Sequence, residues 1–184
     1  MLACIALLAS CKNKKTETLE NGAKSDLQQK VEEYAYFDLK ADLSKLTDSE
    51  RQLLPIFFEI GQIMDDLFWE QTFGDKSILD TISDPWMKDY VMINYGPWDR
   101  LDDEKPFVPG YGERPVMANY YPQDITKAEY DAYDDPLKAS HYTVLRRDAE
   151  GKLITVGYYE AYKEKLDRVC ELLDKAIESP TTPR

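Results

Sequence analysis

Apolar residues recur at spacings of three and four along much of the chain, a pattern typical of amphipathic helices. A first helix is predicted over residues 26–36. A second helix follows a capping box. In this motif the Thr47 side chain accepts a hydrogen bond from the backbone, and the Glu50 side chain accepts one from the backbone N–H of Thr47. Because Pro55 lacks an N–H group and clashes with the preceding turn, we expect a kink or break there and a strong helix over residues 56–71. The apolar stripe of this second helix is Leu53, Ile56, Phe57, Ile60, Met64 and Leu67.

Three further predicted helices and one apolar block follow along the chain. Residues 78–82 predict a short amphipathic helix, and residues 86–93 form an apolar block behind a Ser-Asp-Pro sequence. Another short helix opens over residues 124–129. Residues 162–177 carry apolar side chains at helical spacing, which predicts a long amphipathic helix near the end of the chain.

Strand and loop signals occupy the space between these helices. Residues 141–147 and 152–159 are rich in β-branched and aromatic side chains and flank a four-residue turn ending in Gly151, which predicts a β-hairpin. Residues 96–122 contain frequent proline and glycine, which set turns and oppose regular ladders. We therefore predict an α+β fold that is mainly α-helical, with a long loop region rich in proline, glycine and aromatic residues and one late β-hairpin.

Composition narrows the function classes. The chain has 184 residues and a formal net charge of −12. This is a one-domain length, long enough to bury a hydrophobic core. We predict no binding to nucleic acid, because phosphate binding needs clustered Lys and Arg to release counterions. An acidic surface instead favours solubility.

The beginning of the chain, MLACIALLASC, predicts a lipid anchor. Its apolar run is shorter than the roughly 20 residues that span a bilayer. It ends in Leu-Ala-Ser-Cys, which looks like a bacterial lipobox with small residues before the cysteine. We expect residues 1–10 to be a lipoprotein signal peptide, Cys11 to carry lipid, and the polar residues 11–25 to form a flexible tether. The predicted location is the cell envelope, periplasmic or outer membrane, with the membrane as a partner through the anchor.

The chain offers few groups for catalysis. His141 is the sole histidine, so a zinc site of the H-E-x-x-H type cannot be built, and no catalytic residue or metal ligand is predicted. We expect a hydrogen-bonded structural role for His141 and apolar packing for Cys170. Asp66 and Glu70 lie one helical turn apart beside Asp65. Such carboxylates can perform acid–base chemistry or hold a metal, but without a histidine we interpret them as a solvated face.

Residues 92–108, MINYGPWDRLDDEKPFV, are the densest run of aromatic, Gly-Pro and charged residues. The Gly-Pro turn lets Tyr95 and Trp98 splay to one side. Asp99 beside Arg100 offers a fork for a ligand carboxylate or a structural ion pair. These four residues are the substrate-binding candidates. The other interpretation is a turn pinned into a domain interface.

The same motif carries a family resemblance. NYGPWDRLDDEKPFVPGYGERP, together with the upstream YAYFDLKADLSKLTDSERQLLPIFFEIGQIMDDLFWEQ, resembles the N-terminal region of the dipeptidyl peptidase III family of zinc metallopeptidases. The sequence is similar to the lipoprotein-type branch found in Bacteroidetes. The likeness runs from about Tyr34 to Glu178. Residues 26–178 are expected to be the N-terminal region of a peptidase-like domain, and residues 179–184 a divergent tail.

The resemblance implies part of a larger, two-lobed protein that removes dipeptides from peptide N-termini. Zinc in that family is held by an H-E-x-x-G-H helix and a later glutamate, and neither segment occurs here. The implied function is therefore the N-terminal region of a zinc-dependent dipeptidyl peptidase homologue, not catalytic as it stands. The implied partners are the C-terminal catalytic part and, for the whole peptidase, a peptide substrate.

An alternative from another class stays open. This second interpretation is a stand-alone, lipid-anchored binding protein that stacks ligands on an aromatic surface. Its proposed residues are Tyr95, Trp98, Tyr111 and Tyr120. A self-sufficient module should melt cooperatively, whereas a piece of a larger protein should expose apolar surface and bind hydrophobic dye.

Overall fold

The longest element is α2, which spans Asp48–Thr72. Its first turn is fixed by the predicted capping box: the Glu50 N–H donates to Thr47 Oγ1 at 3.2 Å, and the Thr47 N–H donates to Glu50 Oε2 at 2.7 Å. The predicted break at Pro55 is wrong, because the helix runs through it. Proline there removes one intrahelical hydrogen bond, and the capped first turn and the packing against the last helix hold the remainder.

The computed structural model of the protein describes residues 24–178. The predicted signal peptide, Cys11, the tether up to residue 23 and residues 179–184 lie outside the described residues. The elements in chain order are α1 (Asp26–Glu32), a 3₁₀ turn (Leu43–Lys45), α2, α3 (Ile78–Thr81), α4 (Pro85–Asn94), β1 (Trp98–Asp99), β2 (Lys105–Pro106), α5 (Lys127–Ala132), β3 (Thr143–Arg147), β4 (Leu153–Gly157), α6 (Tyr158–Ala161) and α7 (Lys163–Glu178).

Helices α1 and α4 pack together and frame the central motif. Helix α1 is shorter than predicted, and Tyr34 beyond its end meets the ring of Tyr90 edge-on at 6.4 Å between centroids. The apolar block after Pro85 is helix α4. Asp84 caps it by accepting from the backbone N–H of Trp86 at 2.8 Å. Proline at the first helical position suits this start, because its missing N–H has no partner there.

The late β-hairpin is confirmed. Strands β3 and β4 pair antiparallel, from Thr143 opposite Gly157 to Arg147 opposite Leu153. Asp148 holds the turn, because its carboxylate accepts from the Lys152 N–H at 2.8 Å. The long loop region departs from prediction at one place, where β1 and β2 form a two-residue ladder.

Two hydrophobic clusters meet at the C-terminal half of α2. Trp69 of α2 belongs to the first, with Ile78, Leu79, Val91 and Val108. Leu67 belongs to the second, with Val144 and Tyr162. The fold is therefore α+β and mainly helical, as predicted. Within residues 24–178, no helix has the length and apolar content needed to cross a bilayer.

Candidate functional site

The central motif begins where α4 ends. Tyr95 adopts a left-handed conformation with φ of 52°, and Gly96 follows with φ of 150°. A Cβ added at Gly96 would lie 3.4 Å from the ring of Trp98 and 3.5 Å from Phe73. These are ordinary van der Waals distances, so glycine is required by the backbone conformation of this turn and not by a lack of space.

Trp98 lies inside the fold. Its indole Nε1–H donates to the backbone oxygen of Gly112 at 2.9 Å. Its ring packs against Phe73 and Tyr111, with centroids 5.6 and 6.3 Å apart. A cavity of about 250 Å³ lies beside these rings. The indole thus ties the motif to the following loop.

Asp99 is only 2% exposed and forms an ion pair with Lys30 of α1. It also accepts from the backbone N–H of Leu101 at 3.1 Å. Burial alone would raise the pKa of Asp99, but hydrogen bonds from Lys30, Tyr90 and Leu101 outweigh burial and lower it. Asp99 is therefore a buried anion that fastens α1 to the motif.

Tyr95 faces α2 instead. Its hydroxyl donates to Asp65 Oδ1 at 2.6 Å, and its ring meets Phe68 edge-on at 4.7 Å. The hydrogen bond to the Asp65 carboxylate, assisted by burial, raises the pKa of Tyr95. The guanidinium of Arg100 lies 5.8 Å from the rings of both Phe68 and Tyr95. Both candidates therefore lie against the outer surface of α2.

The structure thus divides the four predicted residues into two pairs. Trp98 and Asp99 are buried, whereas Tyr95 is half-buried and Arg100 is exposed. The expected fork of Asp99 with Arg100 is not formed, because the aspartate turns inward to Lys30. Within residues 24–178, Arg100 forms no ion pair. Contact of any of the four with a substrate stays a prediction.

The three carboxylates near the end of α2 are paired with lysines. Lys76 Nζ lies 3.1 Å from Asp65 and 2.7 Å from Asp66, and Lys165 Nζ lies 2.5 Å from Glu70. Burial would raise the pKa of Asp65, but hydrogen bonds from Tyr95 and Lys76 lower it. The expected solvated face is therefore partly neutralised by these lysines.

The residues present do not fit a zinc ion. His141, the sole histidine, is exposed, and no group of three or more His, Cys, Asp or Glu able to hold a metal occurs among residues 24–178. No hydrogen bond to the His141 ring is found in that part of the chain, contrary to the expected structural role. Cys170 is exposed on α7, so its predicted apolar packing is also wrong.

Sequence reasoning placed Phe57 and Met64 in one apolar stripe of α2 and did not foresee that both are about half exposed, at 50% and 48%. A cavity of about 650 Å³ is lined there by Phe57, Phe58, Gly61, Gln62, Asp65, Asp66 and Lys76. The available signal was a second stripe at spacings of four and three, formed by residues 57, 61, 64 and 68. A glycine in this stripe concealed it. The four residues of the alternative interpretation do not form one exposed surface, since Trp98 is buried and Tyr120 packs against the second cluster, with its hydroxyl 3.3 Å from Gln71 Oε1.

Comparison with solved structures identifies the class of fold. The described region is similar to part of dipeptidyl peptidase III from Caldithrix abyssi, with a TM-score of 0.73 and 32% identity over 84% of this chain and 32% of that chain. It is also similar to dipeptidyl-peptidase III from Corallococcus sp. strain EGB, with a TM-score of 0.76 and 31% identity over the same shares. The protein therefore has a dipeptidyl peptidase III-like fold that matches part of a larger one.

Among curated proteins, the chain is similar to Nudix hydrolase 3 of Arabidopsis thaliana, with 23% identity over 224 aligned residues. These cover 85% of this chain and 28% of that protein. No protein-family model matches the chain. The chain spans less than a third of the length of each of these relatives.

Proposed function

We propose that the protein is the N-terminal region of a zinc-dependent dipeptidyl peptidase homologue and is not catalytic as it stands. The observation that carries this proposal is the likeness to two dipeptidyl peptidase III structures, at 31–32% identity over 84% of the chain. The sequence identity is accompanied by a similar backbone fold, with TM-scores of 0.73 and 0.76. The proposed role of this region is to build one wall of the larger protein and to position the central motif.

Hydrolysis in the whole peptidase is assigned to residues outside this chain. A two-histidine zinc site needs a second histidine, and this sequence has only His141. We expect no release of dipeptides from peptide substrates by the purified chain supplied with stoichiometric zinc. Measurable release that depends on the chain concentration would contradict this part of the proposal.

Of the four substrate-binding candidates, Arg100 is the most exposed. Its guanidinium forms no ion pair within residues 24–178 and lies over two aromatic rings. Such a cation can pair with a carboxylate from another part of the larger protein, which would leave Tyr95 as the candidate nearest to a bound peptide. Trp98 and Asp99 would then act by holding the turn that presents Arg100 and Tyr95.

The proposed location is the cell envelope, with a lipid on Cys11. The supporting pattern is the Leu-Ala-Ser-Cys sequence after a short apolar run. Replacing the acylated thiol, Cys11→Ala, should release the protein from the membrane fraction. The matched control is Cys4→Ala, which lies within the predicted signal peptide and should leave membrane retention unchanged.

The first experiment is to determine the size of the native polypeptide, by immunoblot against the hairpin Thr143–Gly157 in the cells that make it. A polypeptide much longer than 184 residues, carrying the same N-terminal peptides by mass spectrometry, supports a place within a larger peptidase. A 184-residue product that co-purifies with no peptidase-like polypeptide would contradict the proposal. That result would favour the stand-alone binding protein.

A further inference from the structure

Helix α2 has a second apolar stripe that the two hydrophobic clusters leave partly uncovered. Phe57, Met64 and Phe68 follow one another at heptad-like spacing, with Gly61 between them. Phe57 is 50% exposed, Met64 48% and Phe68 39%. Alternating steps of four and three are the spacing by which one helix packs along another. The stripe is therefore built like half of a helix–helix contact.

Gly61 opens a groove in this stripe. A Cβ added at Gly61 would have no heavy atom within 4 Å, so the position is open. The cavity of about 650 Å³ beside it is lined by Phe57, Phe58 and Gly61 together with polar residues. A second cavity of about 340 Å³, between α2 and α7, is lined by Met64 and Phe68 among other residues. A small residue between large ones lets another backbone approach closely.

The charges around the stripe restrict its occupant. Lys76 is already paired with Asp65 and Asp66. Arg100 lies 5.8 Å from the ring of Phe68 at the end of the stripe and forms no ion pair within residues 24–178. In a chain of net charge −12, a cation left without a carboxylate beside apolar surface favours an acidic partner group.

We propose that this surface, the α2 groove of Phe57, Phe58, Gly61, Met64 and Phe68, docks an amphipathic helix with a carboxylate opposite Arg100. The helix belongs to the part of a dipeptidyl peptidase III-like protein that this chain does not match, and the inference rests on the proposed function to that extent. This chain matches 32% of each solved relative, so most of such a protein lies outside it and is available to cover the groove. Helix-in-groove docking uses anchors at this spacing.

Photo-crosslinking in the cells that produce the protein tests this assignment. The photoreactive residue p-benzoylphenylalanine is placed at the position of Phe58 in the groove. A matched variant carries it at the position of Tyr142. This residue is 76% exposed, lies just before β3 and does not line the groove. Crosslinked peptides are then identified by mass spectrometry. Arg100→Glu and Arg100→Lys are compared in the Phe58 background.

The expected result is a crosslink from position 58 to a helix that contains Asp or Glu, in a polypeptide resembling the unmatched part of dipeptidyl peptidase III. Arg100→Glu should lower its yield on the order of tenfold, because a like charge replaces an attraction, and Arg100→Lys should retain most of it. Crosslinks from position 142 alone would overturn the groove assignment and leave the proposed function standing. Crosslinks from position 58 only to lipid or to a second copy would overturn the occupant. Absence of any peptidase-like polypeptide from all samples would overturn the proposed function as well.

Discussion

The two halves of α2 have similar apolar content but different surroundings. All three buried residues of the helix, Leu67, Trp69 and Thr72, lie in its C-terminal half. In the N-terminal half, Phe57 and Phe58 remain 50% and 69% exposed. Helix α7 contacts both halves, through the pairs Lys165–Glu70 and Arg168–Glu59. The C-terminal half is covered in addition by α3, α4, the central loops and the hairpin through the two clusters. The difference shows that apolar periodicity in a helix does not by itself say which turns find partners within the chain.

The central motif repeats this contrast over six residues. Trp98 and Asp99 point into the covered region and bind Gly112 and Lys30. Tyr95 and Arg100 lie on the α2 side, near the uncovered stripe. The motif therefore joins the two regions: its interior residues fix a turn, and its outer residues border the α2 groove.

The largest expected effect compares two aromatic residues of the same helix. Trp69→Ala should reduce the free energy of unfolding by about 3–5 kcal/mol, because it leaves a cavity in the first cluster. Trp69 is only 3% exposed. Urea unfolding followed by circular dichroism measures the change. Phe57→Ala is the matched control in the N-terminal half and should leave the unfolding midpoint almost unchanged. Equal losses for the two variants would contradict the division of α2.

The next effect concerns the buried carboxylate of the motif. Asp99→Ala should lower the free energy of unfolding by about 2 kcal/mol, because it removes the hydrogen bonds that the carboxylate accepts from Lys30 and from the Leu101 N–H, while Lys30, whose side chain is 37% exposed, regains contact with water. The exposed pair Asp102–Lys105 offers the control, and Asp102→Ala should change stability little. If the two aspartates proved equivalent, the inward assignment of Asp99 would be wrong.

The stabilising contribution of Asp99 should also depend on pH. The pKa of Asp99 lies below that of an ordinary aspartate, so the unfolded chain takes up this proton at a higher pH than the folded chain does. The stabilising contribution is fully present above about pH 4 and is lost as the pH falls through the folded pKa. The difference in unfolding free energy between the wild type and Asp99→Asn should therefore narrow below pH 4. A constant difference would show that the charge of Asp99 does not contribute.

Local signals explain why much of the fold could be predicted from the sequence. The capping box at Thr47, the hairpin turn ending in Gly151 and the amphipathic last helix each depend on residues close together in the chain. The error at Pro55 arose because the local cost of proline was weighed without the packing of α7. Tertiary contacts then decided the outcome.

The site was harder to predict, because its side chains choose between distant partners. Asp99 and Arg100 are adjacent in sequence, yet Asp99 pairs with Lys30, which is 69 positions away. The orientation of that pair depends on where α1 docks, and no spacing rule contains this information. Similarly, the exposure of Cys170 follows from which face of α7 meets α2: Leu172 is buried there, and Leu173 is 41% exposed.

A smaller effect tests what holds the N-terminal half of α2. Thr47→Ala removes the hydroxyl that accepts the Glu50 N–H, and should cost about 1 kcal/mol of unfolding free energy. Thr47→Ser keeps the hydroxyl and is the matched control. Hydrogen exchange should become faster over the first turns of α2 and remain slow around Trp69. Uniform acceleration along the whole helix would mean that its halves unfold together.

The smallest expected effect on stability comes from substitutions that remove exposed apolar surface from the α2 groove. The double variant Phe57→Ser/Phe58→Ser removes two exposed rings from the α2 groove, so the free energy of unfolding should change little. Binding of a hydrophobic dye to the purified chain should fall, because exposed apolar surface is what such dyes detect. Tyr142→Ser/Tyr159→Ser removes two exposed rings elsewhere and is the matched control. A larger fall in dye fluorescence for the groove variant indicates that α2 presents the main uncovered apolar surface. Equal falls would mean that any exposed ring binds the dye equally well. The N-terminal half of α2 would then be less buried than the C-terminal half but would not form a distinct apolar surface.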